Sequence, residues 1–200
     1  MELATIARMF PGRLLPGIGH GVHDWMVQVD AGVSSPMTLL REYAGTLRRL
    51  LAGERVDVAG RYVTLSDVAL DWPPDPVPPL LIGAVGPRTL RLAGELGDGV
   101  ILTSAGAAGV AAAMPVLLDG RRGSGATDRP FDVVCFLSVG VEDSAESIAA
   151  AVLAAGDAGA TIVPLVVTGA GKPPLGATDG GLGAWVAGVG VSVAAQINES

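Results

Sequence analysis

Cysteine is almost missing from this 200-residue chain, Cys135 being the single example. An intramolecular disulfide framework and a cysteine zinc cluster are thereby excluded. Cys135 sits in the apolar run Val133-Val134-Cys135-Phe136-Leu137, which predicts a buried, inert thiol rather than a nucleophile. Aromatics are only 4% of residues, so small and branched aliphatics must fill the core. Positive charge is short as well: 13 Lys and Arg against 20 Asp and Glu leave a net charge of −7. That balance argues against a nucleic-acid or anionic-membrane surface, and no basic stripe with interleaved aromatics is seen. No apolar run approaches the roughly 18 residues of a membrane span, because Gly and Pro interrupt all of them. The first residues lack a basic stretch followed by a long apolar one, so a signal peptide is not expected. The expectation is a soluble, cytoplasmic protein.

What is abundant is aliphatic and small: half the residues are hydrophobic and 29 are glycine. Val-, Ile- and Leu-rich strands alternating with Ala-rich helices suit an α/β protein with a mainly parallel sheet and right-handed crossovers. The stretch Pro79 to Ala93 is the clearest unit. An apolar run, Leu80-Leu81-Ile82, meets Gly83, then Gly86-Pro87, and an amphipathic pattern begins at once. This reads as a buried strand, a tight turn and a helix whose first position is Pro87, where the missing N–H would be an orphan anyway. The free N–H groups that follow form a ready anion site; the other reading is an ordinary βα turn that binds nothing.

Taken in order, Leu3, Ile6, Ala7 and Phe10 predict one face of an N-terminal helix that Pro11-Gly12 stops. Leu14 to Ile18 reads as a short strand running into the loop Gly17-Ile18-Gly19-His20-Gly21. Val22 to Val33 is expected to be a loop, with Trp25 as a packing residue. A helix starts at Ser35-Pro36, buries Leu39, Leu40, Tyr43, Leu47, Leu50 and Leu51, and ends at Gly53. A hairpin over Glu54 to Val68 and an extended, proline-rich connector over Asp71 to Pro79 follow. Beyond the central strand and helix come a strand over Asp98 to Ser104 and a helix over Ala107 to Leu118. A polar loop spans Gly120 to Arg129, and a strand Phe131 to Val141. A helix capped by Asp143 or Ser144 and a strand over Thr161 to Val167 complete the pattern. Residues 1–168 are read as one domain and 169–200 as a Gly- and Ala-rich segment, in which Trp185 to Val193 could form a helix.

Chemistry-bearing residues are few. His20 and His23 are the only histidines, and no Cys, Asp or Glu completes a usual zinc spacing with them, so no metal is expected. Each is either an ordinary loop histidine or a ring lining a pocket at a strand's C-terminal end. His20 is the candidate for handling a proton, since an imidazole titrates near neutrality. Arg88 either pairs with an anion or is solvated. Thr103 and Ser104 either bond a ligand or cap the next helix. Walker A, G-x-S-x-G and dinucleotide fingerprints are absent; Val22 stands where the last would need a third glycine.

Several segments, in order and spacing, resemble the luciferase-like monooxygenase family, in particular its deazaflavin-dependent branch. They are Phe10 to Arg13, Leu15 to Gly21, Asp24-Trp25-Met26, Ser35 to Glu54, Gly60-Arg61-Tyr62, and Gly86-Pro87-Arg88 through to Val100. The resemblance implies a (β/α)₈ barrel with a flavin or deazaflavin at its C-terminal mouth and hydride chemistry on a small organic substrate. By the resemblance, Gly17, Gly19 and His20 would line the cofactor pocket. Gly83, Gly86, Pro87, Arg88 and Thr89 would hold its phosphate, with Thr103 nearby. Coenzyme F420 is the implied cofactor, with FMN as the alternative. Such barrels take about 250 residues. By the same resemblance the opening helix corresponds to the family's third, so the first strands are expected to be missing. About five core strands remain, marked by Leu14, Leu80, Val100, Val133 and Ile162. The expected fold is then a partial barrel whose open edge pairs with a second copy, or an open sheet with helices on both faces. Two other readings are an FMN-dependent monooxygenase and a truncated, inactive relative that acts as a binding or assembly partner.

Overall fold

The computed structural model describes residues 1–103, 105–140 and 142–168. The helix considered over Trp185 to Val193, and the whole segment 169–200, lie outside the described residues. So does Ser104. The described residues divide into two compact units, those of 1–101 with 115–132, and those of 102–114 with 133–168.

The first unit begins with helix α1 (Glu2–Met9), whose buried residues are Ala4 and Ala7. The expected face was larger: Ile6 and Phe10 are 41% and 49% exposed. Small side chains let this helix lie close, and the larger ones stay at its rim. Strand β1 is only Gly17–Ile18, shorter than the Leu14 to Ile18 expected. Pro16 has no N–H to give a sheet, but its carbonyl accepts from Leu81 N at 2.9 Å. The expected loop over Val22 to Val33 contains a short helix, α2 (His23–Gln28), which buries no residue. Trp25, expected to pack, is 61% exposed.

Helix α3 (Pro36–Leu51) starts with Pro36 after Ser35, and the Ser35 hydroxyl bonds Thr38 Oγ1 at 2.7 Å rather than a backbone N–H. Leu40, Ala44 and Leu51 form its buried face, whereas Tyr43 is 48% exposed. Strands β2 (Val56–Ala59) and β3 (Thr64–Val68) pair antiparallel as the expected hairpin. The turn of this hairpin is fixed from α3. Glu42 accepts from the backbone N–H groups of Arg61, Tyr62 and Val63 at 2.9, 2.8 and 3.0 Å. A Cβ at Gly60 would stand 2.5 Å from Glu42 Oε2, so the close approach requires glycine there.

Strand β4 (Leu81–Gly83) lies parallel between β1 and β5 (Gly99–Thr103), with Ile18 opposite Ile82 and Ile82 opposite Val100. Leu80, Leu81, Ile82 and Val100 are almost wholly buried. Each contributes on the order of 1.5–3 kcal/mol by leaving water. Helix α4 (Pro87–Leu96) covers them with Leu90, Leu92 and Ala93. Helix α5 (Gly106–Gly123) runs past the Leu118 at which it was expected to end. Gly120, expected to open a polar loop, lies inside the helix and serves packing. A Cβ on Gly120 would collide with the Arg91 carbonyl, and one on Gly94 with the Leu117 carbonyl. Two helix backbones thus meet through paired glycines.

The strands' N-terminal ends are tied by one carboxylate. Asp98 accepts from Arg48 Nη1 at 3.0 Å and Nη2 at 2.8 Å, and from Leu80 N at 2.9 Å, while Arg129 approaches at 3.5 Å. Arg48 also donates to the Leu96 carbonyl at 2.6 Å. Nearby, Arg121 is 6% exposed, stacks 4.6 Å from the Phe131 ring and donates to the carbonyls of Thr127 and Arg129. Burial, then the neighbouring Arg129 charge, pulls its pKa below the ordinary guanidinium value.

In the second unit, strands β6 (Asp132–Gly140) and β7 (Leu165–Thr168) pair in parallel, Val139 opposite Val167. Helix α6 (Ala145–Asp157) starts at Ser144, whose hydroxyl accepts from Ser147 N at 3.1 Å. Its Ile148 and Ala149 pack on Val139. Cys135 is fully buried, as expected. The strand expected from Thr161 starts later, at Leu165, with Ile162 making an isolated bridge to Val134. Parallel pairing in both units makes the fold α/β. The described residues hold five strands of parallel type, so an eight-stranded barrel is not complete among them.

Candidate functional site

The site lies in the first unit, at the C-terminal ends of β1 and β4. Beyond β1 the chain passes through Gly19-His20-Gly21, and Gly21 adopts φ +70°, a left-handed conformation that glycine takes without strain. This turn brings His20 toward α4. His20 Nδ1 lies 2.8 Å from the Gly21 carbonyl and Nε2 lies 3.2 Å from Thr89 Oγ1. A carbonyl can only accept, so the proton of the neutral ring sits on Nδ1 and Nε2 is the acceptor. Thr89 Oγ1 also lies 3.5 Å from Met37 Sδ. The hydroxyl therefore has two uses. It donates to Nε2 of a neutral imidazole; toward a charged one it accepts from Nε2–H and turns its own proton to the sulfur. Both protonation states of His20 are hydrogen-bonded.

Around this pair is an open pocket of about 850 Å³. Gly17, Gly19 and His20 form one side, Arg88 and Thr89 another, and the first half of α3 a third, with Met37, Leu40 and Tyr43. α2 adds His23 and Met26, and Ala31, Gly32 and Val33 close the wall between α2 and α3. None of the described side chains lining it is a carboxylate, although the chain is acidic as a whole. The basic groups present are His20, His23 and Arg88.

The start of α4 adds a second feature. Gly86 is extended (φ −89°, ψ 159°), Pro87 takes the first helical position, and no side chain caps the helix. Nothing lies within 4 Å of the place a Gly86 Cβ would occupy. The uncapped first turn is therefore approachable by an anion, with the helix dipole favouring negative charge.

Of the residues singled out from sequence, Gly17, Gly19, His20, Arg88 and Thr89 come together around the pocket. Gly83 ends β4, where its carbonyl would lie 3.7 Å from a Gly19 Cβ, and Gly86 and Pro87 lead into α4 beside the pocket rather than lining it. Thr103 ends β5, is exposed, and belongs to the second unit. Met37, Met26 and the stretch 31–33 were not singled out. Met26 was expected in a loop, and nothing in a short Ala-Gly-Val run announces a pocket wall. Among the described residues, no three His, Cys, Asp or Glu side chains gather as a metal site. Nor is any helix there long and apolar enough to cross a membrane.

A parallel α/β fold with its pocket and an uncapped helix start at the C-terminal ends of the strands has the layout of (β/α)-barrel enzymes. Two solved structures carry that likeness. An F420-dependent secondary alcohol dehydrogenase in complex with an F420–acetone adduct superposes with a TM-score of 0.74 at 20% identity, over 82% of this chain and 67% of that one. The coenzyme F420-dependent tetrahydromethanopterin reductase from Methanopyrus kandleri gives 0.61 at 23% identity, over 74% of this chain and 48% of that one. Residues 1–178 match the luciferase-like monooxygenase family, and the chain belongs to it. An F420-dependent glucose-6-phosphate dehydrogenase of Nakamurella multipartita is 33% identical over 151 residues, 72% of this chain and 44% of that protein. A 5,10-methylenetetrahydromethanopterin reductase of Archaeoglobus fulgidus is 28% identical over 172 residues, 86% of this chain and 49% of that protein. The chain thus spans about half the length of these relatives.

Proposed function

We propose that this chain binds coenzyme F420 and serves as an F420-dependent oxidoreductase acting on a small organic substrate. The observation that carries the reading is the pairing of an 850 Å³, carboxylate-free pocket with the uncapped start of α4 at the same strand ends. The names of the relatives and structural neighbours support the choice of F420. The residues fit such a group. A polyanionic cofactor is suited by Arg88, by open N–H groups and by the lack of carboxylates, and a flat ring by Gly17, Gly19 and the aliphatic wall of α3. In this reading Gly83, Gly86, Pro87, Arg88 and Thr89 hold the phosphate.

When bound, a reduced deazaflavin supplies hydride chemistry. The chain's own share is orientation and proton handling. His20 can take a proton at Nε2 alone, because Nδ1 is committed to the Gly21 carbonyl. Thr89 then reverses its hydroxyl toward Met37. His20 is thus the catalytic candidate, and Thr89 the group that keeps its ring in place. Pairing of two copies along the open strand edge belongs to the same reading. A monomer in sedimentation at micromolar concentration would remove that part.

The deciding experiment is a fluorescence titration of the 200-residue chain with oxidised and reduced F420, with FMN as comparison. Micromolar binding of F420, and weaker binding of FMN, is the expected result. No binding of F420 by folded protein overturns the proposal, and preference for FMN replaces it with the flavin monooxygenase reading.

A further inference from the structure

The pocket wall formed by Ala31, Gly32 and Val33 has no regular structure of its own, yet it is pinned at both ends. Upstream, Ala31 N donates to the Met26 carbonyl at 2.8 Å, fastening the stretch to α2. Downstream, it runs straight into Ser34 and Ser35, and both reach the same atom. Ser35 N donates to the Tyr62 hydroxyl oxygen at 2.9 Å, and Ser34 Oγ shares a hydrogen bond with it, also at 2.9 Å. Arg61 Nη2 donates to Ser34 Oγ at 2.7 Å, with its guanidinium 5.2 Å from the Tyr62 ring. Tyr62 belongs to the turn between β2 and β3, which lies outside the pocket and supplies no residue to it. The turn is in its own right rigidly held, since Glu42 takes its N–H groups.

From this chain of contacts we infer that Tyr62 is a positioning residue for the pocket: the hairpin braces the wall at residues 31–33 through the Tyr62 hydroxyl. The inference rests on the reading of this pocket as the F420 site. Glu42 fixes the turn to α3, the turn fixes Tyr62, and Tyr62 fixes Ser34 and Ser35, where α3 begins. The wall is then held at the distance from Met37 and Leu40 that the ligand meets. A packing role alone would need the ring; the brace needs the oxygen. Tyr62→Phe separates the two, because it keeps the ring and removes the oxygen that bonds Ser34 and Ser35.

Two readouts test it. In Tyr62→Phe, the Kd for oxidised F420 should rise about tenfold, with the thermal midpoint close to that of the native chain. Amide hydrogen exchange at Ala31, whose N–H is bonded to the Met26 carbonyl, should quicken several-fold, while that of α4 stays unchanged. Ser34→Ala should move both in the same direction by less, because it leaves the Ser35 N bond to the Tyr62 oxygen in place. Unchanged exchange at Ala31 overturns the brace, whatever the ligand does. Native F420 affinity in Tyr62→Phe also overturns it. If the native chain does not bind F420, the function reading falls and the exchange experiment still decides the brace. Should Tyr62→Phe fold poorly, Ser34→Ala carries the same test.

Discussion

Thr89 and His20, 69 residues apart in sequence, share a 3.2 Å hydrogen bond that joins the glycine loop after β1 to the first turn of α4. With Nδ1 held by the Gly21 carbonyl, the neutral ring is the Nδ1–H tautomer. Long-range ¹⁵N–¹H correlation spectra of the neutral ring should place the proton there. In Thr89→Val, which keeps the shape and loses the hydroxyl, the bond at Nε2 disappears and the tautomer should become mixed. A native ring carrying its proton on Nε2 would contradict the geometry.

Gly86→Val probes the start of α4. The backbone at Gly86 is extended, which valine accepts, and the space around the new Cβ is empty. The thermal midpoint should therefore hold, while F420 affinity falls by about tenfold or more as the branched side chain covers the first-turn N–H groups. Equal affinity would place the phosphate elsewhere.

Gly94→Val is the opposite case. The new side chain would strike the Leu117 carbonyl, a backbone atom that cannot rotate away. Denaturant unfolding should report a loss of about 2 kcal/mol or more, with α4 pushed from α5.

Glu42 sets an acid limit. Hydrogen bonds from Tyr62 N–H, the largest influence, and from Arg61 and Val63 N–H hold its pKa below the ordinary 4.5. The folded-state value is depressed, so the stabilisation is present above the unfolded value and is lost as pH falls through the folded one. Thermal midpoints scanned downward from pH 4.5 should show this loss in the native chain. Glu42→Gln should be less stable at neutral pH and lack that part of the acid slope.

Local signals made much of this legible from sequence. Gly86-Pro87 marked the start of α4, and Asp143-Ser144 marked that of α6, with Ser144 the cap, because each is a terminus written in adjacent residues. The density of glycine around His20 marked the loop that meets a pocket. Signals that depend on distance were invisible. The Arg48–Asp98 pair spans 50 residues and Tyr62–Ser34 spans 28, and nothing in either segment names its partner. The loop expected from Gly120 is helix for a related reason: glycine suits a loop or admits a neighbour, and only the presence of Arg91 beside it decides which. α2 was missed because six residues with none buried leave no periodic trace.

The Asp98 cluster and the pocket occupy opposite ends of the same short strands. Arg48, Asp98, Leu80 and Arg129 clamp the N-terminal ends, and no residue of that clamp lines the pocket. Loss of the clamp should lower stability and leave ligand preference alone, whereas changes at Met26, Met37 or Val33 should alter preference at little cost to folding. Such a division makes the scaffold evolvable: lineages can drift in what they accept at one end while selection for a folded protein acts on the other.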